Sequence, residues 1–273
     1  MCPREETSFG YSRNASHLIL KEDLGEDGVV RRILTLGSLT FPVALLAVSL
    51  VATWAMLTWV RIMDVPTARS AHTVPTPKSG GLAIVLTFLL GIVAIYLKGW
   101  VQIEHTYFLG FVFSSLTIAA VSFYDDVTNK AFLVKLGTQL LAVAIALSAG
   151  IVIDIISLPF VGDVRLGWLA YPASFLWILG LTNAFNFMDG LDGLAAGVAV
   201  IASAFLLLIT LGGGSTFVYV VCYAVGAGAL GFLVFNFPPA RIFMGDVGSA
   251  TLGFVFATLS IIGARYDASH TSL

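Results

Sequence analysis

The sequence predicts an all-α integral membrane protein, a polytopic bundle of about eight transmembrane helices with an active site on its cytoplasmic face. Three observations lead there. Of 273 residues, 58% are hydrophobic and only 11% charged, where a soluble domain carries roughly 25% charged residues; mean hydropathy is +0.94. Apolar runs near the ~20 residues needed to cross a bilayer recur along the chain. Polar motifs fall between those runs, on alternate loops. The net charge of −2 gives no sign of nucleic-acid binding.

Residues 1–38 hold Glu5, Glu6, Glu22, Asp23, Glu26, Asp27 and five basic residues, with few apolar ones. They predict a flexible polar tail. No short apolar core follows a basic cluster, so they do not read as a signal peptide. Apolar helices are expected at about 39–60, 82–97, 107–124, 136–156, 168–184, 194–211, 216–235 and 248–263. They make one transmembrane domain over 39–263, followed by a short tail at 264–273. Their apolar character goes all round, so periodicity does not set their rotation. Gly and Ala are common in them, as expected where membrane helices pack closely. Asp154 near the end of the fourth run places that end at the interface. Residues 158–167 read as a small turn or hairpin. Cys2 and Cys222 are too far apart in sequence and context to suggest a disulfide framework or a zinc site.

Alternating the loops puts 61–81, 125–135, 185–193 and 236–247 on one side. That side carries Arg61, Arg69, Lys78, Lys130, Lys135 and Arg241; the loops and C-terminus of the other carry Lys98, Arg165 and Arg265. The positive-inside rule makes the first side cytoplasmic, although Arg31 and Arg32 in the tail oppose it. The expected location is the inner (plasma) membrane, multi-pass. Every chemically suggestive motif falls on that first side. A transporter would more often place such groups mid-span. Chemistry confined to one face suggests an enzyme taking one soluble and one lipid-borne substrate.

The motifs each carry two readings. In Asp64-Val65-Pro66…Arg69-Ser70-Ala71-His72…Pro75-Thr76-Pro77-Lys78-Ser79-Gly80-Gly81 three prolines oppose helix. Arg69, His72 and Lys78 supply cations, and Gly80-Gly81 opens a helix whose N–H groups favour anions. This is a phosphate-binding loop, or a basic loop that only sets topology. Asp125-Asp126 closes the third run. Adjacent helical residues point about 100° apart, so the two acids should have different jobs, or are merely solvated. Lys135 and Gln139 follow at i and i+4; Lys135 meets a phosphate or snorkels to the interface. Asn183, Asn186, Asp189 and Asp192 repeat every three residues and form one drifting polar stripe on a helix. Such groups bind a base, a sugar or a metal, or cap a helix end. Asp246 falls in an N-cap position and could instead ligate a metal; Arg241 could clamp a phosphate.

Five acids converging on one face would repel strongly in a cleft of low dielectric. A divalent cation relieves that repulsion. Oxygen-only ligation favours magnesium or manganese over zinc, and magnesium beside Arg, Lys and Gly-rich helix starts means phosphate chemistry.

From about residue 60 to 263, the ordered motifs resemble the polyprenyl-phosphate N-acetylhexosamine-1-phosphate transferases. These are glycosyltransferase family 4, which includes WecA-type and MraY-type enzymes, and the Pro-Thr-Pro-Lys-Ser-Gly-Gly form lies nearer the WecA side. The resemblance rests on the Pro-rich loop, Asp125-Asp126, Asn-x-x-Asn-x-x-Asp-Gly-x-Asp-Gly from Asn183, and Phe-Met-Gly-Asp-x-Gly-Ser from Phe243. It implies transfer of a sugar 1-phosphate from a UDP-sugar, usually a UDP-N-acetylhexosamine, to undecaprenyl phosphate, with release of UMP, at the start of cell-envelope glycan synthesis. It implies Asp246 and Asp125 as metal ligands, and Asp125, Asp126 and Asp246 as catalytic residues. Lys130 and Lys135 would contact phosphates, and Asn183, Asn186, Asp189 and Asp192 would line the nucleotide-sugar site. Arg69, His72, Lys78 and Arg241 complete the expected substrate contacts. Direct attack by the lipid phosphate and a covalent route through an aspartate both stay open, as does a homodimer. Family members usually continue through two or more further spans and a His-rich cytoplasmic loop. This sequence stops at His270-Thr271-Ser272-Leu273, so it is expected to be C-terminally truncated. The rival readings are an inactive member that binds lipid or a partner, and a lipid-phosphate transporter.

Overall fold

The computed structural model describes residues 36–60, 62–66, 74–97, 105–128, 132–210 and 215–270. Eight α-helices among them follow the eight expected runs: α1 Leu36–Trp59, α2 Gly80–Leu97, α3 His105–Thr128, α4 Phe132–Ser148, α5 Ala170–Met188, α6 Leu194–Thr210, α7 Thr216–Asn236 and α8 Gly245–His270. By length and composition, α1, α3, α7 and α8 each hold a stretch able to cross a membrane, whereas the apolar stretches of α2, α4 and α6 are shorter.

The architecture is built on α8. It packs against α5, α3 and α2, while α7 joins α6, α2 and α1. The most apolar window of α8 is 78% buried and that of α1 only 17%, so α8 is the axis and α1 the rim. Phe88, Phe111, Phe232, Phe254, Ile178 and Leu259 fill the interior. Outward-facing side chains such as Val51 and Trp54 on α1, or Phe205 and Leu208 on α6, stay exposed, as they can where lipid is the solvent. The N-terminal ends of α2 and α8 meet closely: a Cβ on Gly81 would lie 2.4 Å from the Gly248 Cα. Only glycine fits there.

The fourth run ends earlier than expected. α4 stops at Ser148, and Gly150 turns the chain at φ +84°, so Asp154 lies on no helix. The expected hairpin follows, with β3 (Ile155–Leu158) antiparallel to β4 (Gly162–Arg165). α5 runs on to Met188, which makes Asn183 and Asn186 helical. The Pro-rich loop is non-helical where described. Residues β1 (Met63–Asp64) and β2 (Thr76–Pro77) pair across its base, and the Lys78 N–H donates to the Ile62 carbonyl at 2.8 Å.

Helix α8 also sets the distance between the two polar ends. From Asp246 to Arg265 it rises about 28 Å at ~1.5 Å per residue, close to the ~30 Å hydrocarbon core of a bilayer. Arg265 pairs with Asp154 at 3.5 Å at the far end.

Candidate active site

Four elements bring polar side chains together at the Asp246 end: the last turn of α3, the first turn of α4, the end of α5 and the start of α8. Asp126 on α3 is only 6% exposed. Its carboxylate accepts from the Asp246 N–H at 3.2 Å and the Val247 N–H at 3.0 Å. Free N–H groups and a positive dipole end make a helix start a natural place for such an acid. The cap of α8 therefore comes from α3, not from Asp246 itself as the N-cap reading expects. Gly245, at φ +74°, allows the fit, since a Cβ there would stand 2.9 Å from Asp126 Oδ2 and 2.5 Å from the Lys78 carbonyl. Lys78 Nζ lies 3.9 Å from Asp126 Oδ1.

With its helix capped from elsewhere, the Asp246 carboxylate is available to side chains of α4 and α5. Lys135 Nζ donates to Asp246 Oδ2 at 2.9 Å and to Asn186 Oδ1 at 2.7 Å. Asn186 Nδ2 donates to Asp246 Oδ1 at 2.6 Å and to Ser249 Oγ at 2.9 Å. Each Asp246 oxygen thus has a named donor. One turn back, Asn183 and Gln139 form a reciprocal amide pair of 2.9 and 3.3 Å, which ties α5 to α4 beside Lys135.

Asp189 is the C-cap residue of α5. Burial, and then the charges of Asp246 and Asp126, push its carboxyl well above the usual carboxylate range. The Gly245 N–H and Lys135 pull it the other way, more weakly. Three acids therefore share one electrostatic neighbourhood. Among the described residues, no three Asp, Glu, His or Cys side chains form a ready-made metal cage.

The loop acids and cations divide differently from expectation. Asp126 is the member of the acidic pair that reaches α8; Asp125 stands beside it on α3, about 100° round the helix. Asp192 accepts from the Ala240 N–H at 2.9 Å. It ties the 189–193 turn to the 237–244 loop. Arg241 is exposed, its guanidinium 5.2 Å from the Phe235 ring centroid. Arg69, His72 and Lys130 lie outside the described residues. One expectation is overturned: the Gly80 and Gly81 N–H groups, read as an anion site, donate to the Phe243 and Met244 carbonyls at 3.0 and 2.8 Å. They join α2 to the α8 approach and are not open to a phosphate.

Three contributors have partners that the motifs do not reveal. Gln139 was visible as the i+4 neighbour of Lys135, but its partner was not. Ser249 closes the Asn186 network. Asn236 accepts from the Gly193 N–H and donates to the Ile242 carbonyl, both at 2.9 Å, and so joins the same two loops as Asp192. An asparagine two residues before the Pro238-Pro239 pair was the only signal for it.

Residues 108–264 match the family model described as glycosyl transferase family 4. The chain is 39% identical over 202 residues to the probable undecaprenyl-phosphate N-acetylglucosaminyl 1-phosphate transferase of Bacillus subtilis strain 168, covering 74% of this chain and 55% of that protein. It is 34% identical over 221 residues to the decaprenyl-phosphate N-acetylglucosaminephosphotransferase of Mycobacterium tuberculosis strain CDC 1551 / Oshkosh, covering 73% and 53%. It is 34% identical over 203 residues to the phospho-N-acetylmuramoyl-pentapeptide-transferase of Lacticaseibacillus paracasei, covering 68% and 61%. The chain thus spans between about half and three-fifths of the length of these relatives. The match extends from within α3 to residue 264 of α8 and takes in the site-bearing part of every described helix that contributes to the acidic cluster; the chain belongs to glycosyl transferase family 4.

Proposed function

We propose that this chain transfers a sugar 1-phosphate, an N-acetylhexosamine 1-phosphate, from a UDP-sugar to undecaprenyl phosphate at the cytoplasmic face of the membrane, with release of UMP. One observation carries the reading: Asp126, Asp189 and Asp246 lie together with Lys135 and Asn186 at one end of the bundle. The names of the relatives from Bacillus subtilis and Mycobacterium tuberculosis support the reaction class.

The residues present fit magnesium. The donors are all oxygen, and the charges of Asp246 and Asp126 raise the cost of ionising Asp189. Magnesium usually takes one or two carboxylates and leaves its other positions to water and substrate phosphates, so the lack of a three-acid cage is no obstacle. When bound there, it would neutralise charge on the donor diphosphate.

The chain's own groups do the positioning. An acceptor phosphate monoester has a second pKa near 6 and arrives largely dianionic, so it needs orientation more than deprotonation. Its oxygen attacks the phosphorus bearing the sugar, and the bond to UMP breaks. Lys135 is placed to meet phosphate oxygen once substrate competes for its ammonium. Asn186 holds the Asp246 carboxylate in one orientation, and Asp126 fixes the helix end that carries it. Positioning and charge neutralisation account for most catalysis in phosphoryl transfer.

The test is UMP release by the purified chain with magnesium, undecaprenyl phosphate and a panel of UDP-N-acetyl sugars. Release should require both lipid and magnesium, and Asp246→Asn should lower it at least about 100-fold, the scale of losing one electrostatic contact at a reacting centre. No release with any donor, or unchanged release in the variant, contradicts the proposal.

A further inference from the structure

We propose that the β3–β4 hairpin is an amphipathic anchor lying in the lipid headgroup layer at the end of the bundle opposite the acidic cluster. Its register sorts its side chains by face. Directly opposed residues share a face of a two-stranded ribbon. Ile156 opposes Val164 and Leu158 opposes Gly162, which makes one face apolar. Ser157 opposes Asp163 and Ile155 opposes Arg165, which makes the other largely polar. On the polar face the Ser157 hydroxyl donates to Asp163 Oδ1 at 2.6 Å. The apolar face is not covered by the bundle: Ile156 and Leu158 are exposed, and so are Phe160 and Val161 in the turn. Phe160 is fully exposed and sits at φ +70°, a conformation few non-glycine residues adopt.

The occupant follows from what adjoins this face. Trp168, Leu169 and Tyr171 come next in the chain and are exposed, and so is Leu176 further along α5. Exposed apolar side chains therefore follow one another along the chain from the hairpin into the start of α5. Its level is fixed as well. Asp154, the residue before β3, pairs with Arg265, about 28 Å along α8 from Asp246, where the far interface of a bilayer falls. Tryptophan and tyrosine concentrate at that level. The two strands pair with each other, and the Leu166 N–H donates to the Asp154 carbonyl at 2.9 Å. Their outer edges still need water or headgroups, so the ribbon rests at the interface and does not enter the hydrocarbon.

Nitroxide labels test this. Phe160→Cys and, separately, Asp163→Cys would be labelled in the full chain carrying Cys2→Ser, and reconstituted into phosphatidylethanolamine–phosphatidylglycerol vesicles. Cys222 is buried and should not take label. Collision with oxygen and with a water-soluble nickel chelate is then read at each site. The expected result is oxygen-dominated collision at 160 and chelate-dominated collision at 163. Chelate-dominated collision at both sites would place the hairpin in water and overturn the proposal. Loss of access to both reagents at 160 would mean a protein covers it, also overturning it; spin–spin broadening that disappears on dilution with unlabelled chain would identify a second copy.

Discussion

Asp126→Ala probes the joint on which the site geometry rests. The substitution leaves the N–H groups of Asp246 and Val247 without their acceptor. A hydrogen bond to a charged group contributes about 1.5–3 kcal/mol, and a buried donor left unpaired costs about 1–3 kcal/mol. Val247 is 1% exposed, so its N–H has no route to water. Against this, the substitution removes the cost of holding a carboxylate in a buried setting. The opposing effects leave a net loss of about 2–3 kcal/mol, above the ~0.5–2 kcal/mol that losing an exposed helix cap costs, because the stranded Val247 N–H is buried. At ~2–4 °C per kcal/mol for a domain of this size, the melting temperature should fall by about 4–12 °C. Asp126→Asn keeps one acceptor oxygen and should show about half that loss. The assay is thermal unfolding in detergent followed by tryptophan fluorescence. An Asp126→Ala protein that melts within ~1 °C of the parent would refute the capping account.

Two further substitutions test neighbouring features. Asn183→Leu should destabilise by about 1–3 kcal/mol, because it strands the buried Gln139 amide; Gln139→Leu should cost less, about 1 kcal/mol, because the Asn183 amide is exposed and still donates to the Leu179 carbonyl. The double variant should lose about 1 kcal/mol less than the sum, and additive losses in a denaturant series would show that the pair is not coupled. Asp189 gives a pH signature in metal-free protein. Its folded value is raised, so the stability it contributes is complete below the ordinary aspartate value near 3.9 and is lost as pH rises through the folded value. Melting in chelator should therefore decline more steeply with rising pH in the parent than in Asp189→Asn; parallel curves would contradict the assignment.

Hydropathy made the helices legible because burial in lipid demands long apolar runs whatever the packing. It failed at the end of α4 for the same reason. Residues 149–153 stay apolar through the turn, and only Gly150, with its positive φ, marks the stop. The acidic, amide and lysine residues of the site were legible as types in motifs. Their partners were not: Asp126 caps a helix that begins 119 residues later, and Gln139 meets Asn183 across 44. The Gly80-Gly81 reading went wrong on a similar point. A helix start predicts open N–H groups, but carbonyls from the approach to α8 had already taken them, and sequence spacing cannot reveal such long-range pairing. The twofold alternation within 155–165 was short enough to pass as an ordinary turn until the register sorted its faces.

Manganese binding puts the convergence of the site's carboxylates to its most direct trial. Electron paramagnetic resonance titration of the full chain in detergent, with a UDP-N-acetyl sugar present, counts bound Mn2+ without requiring turnover. One tightly held ion per chain is expected in the parent, weakened at least about tenfold in both Asp189→Asn and Asp246→Asn, the loss that follows from ~1.4 kcal/mol of binding free energy. Binding that is absent in the parent, or equally tight in both variants, would show that these carboxylates do not converge on a cation.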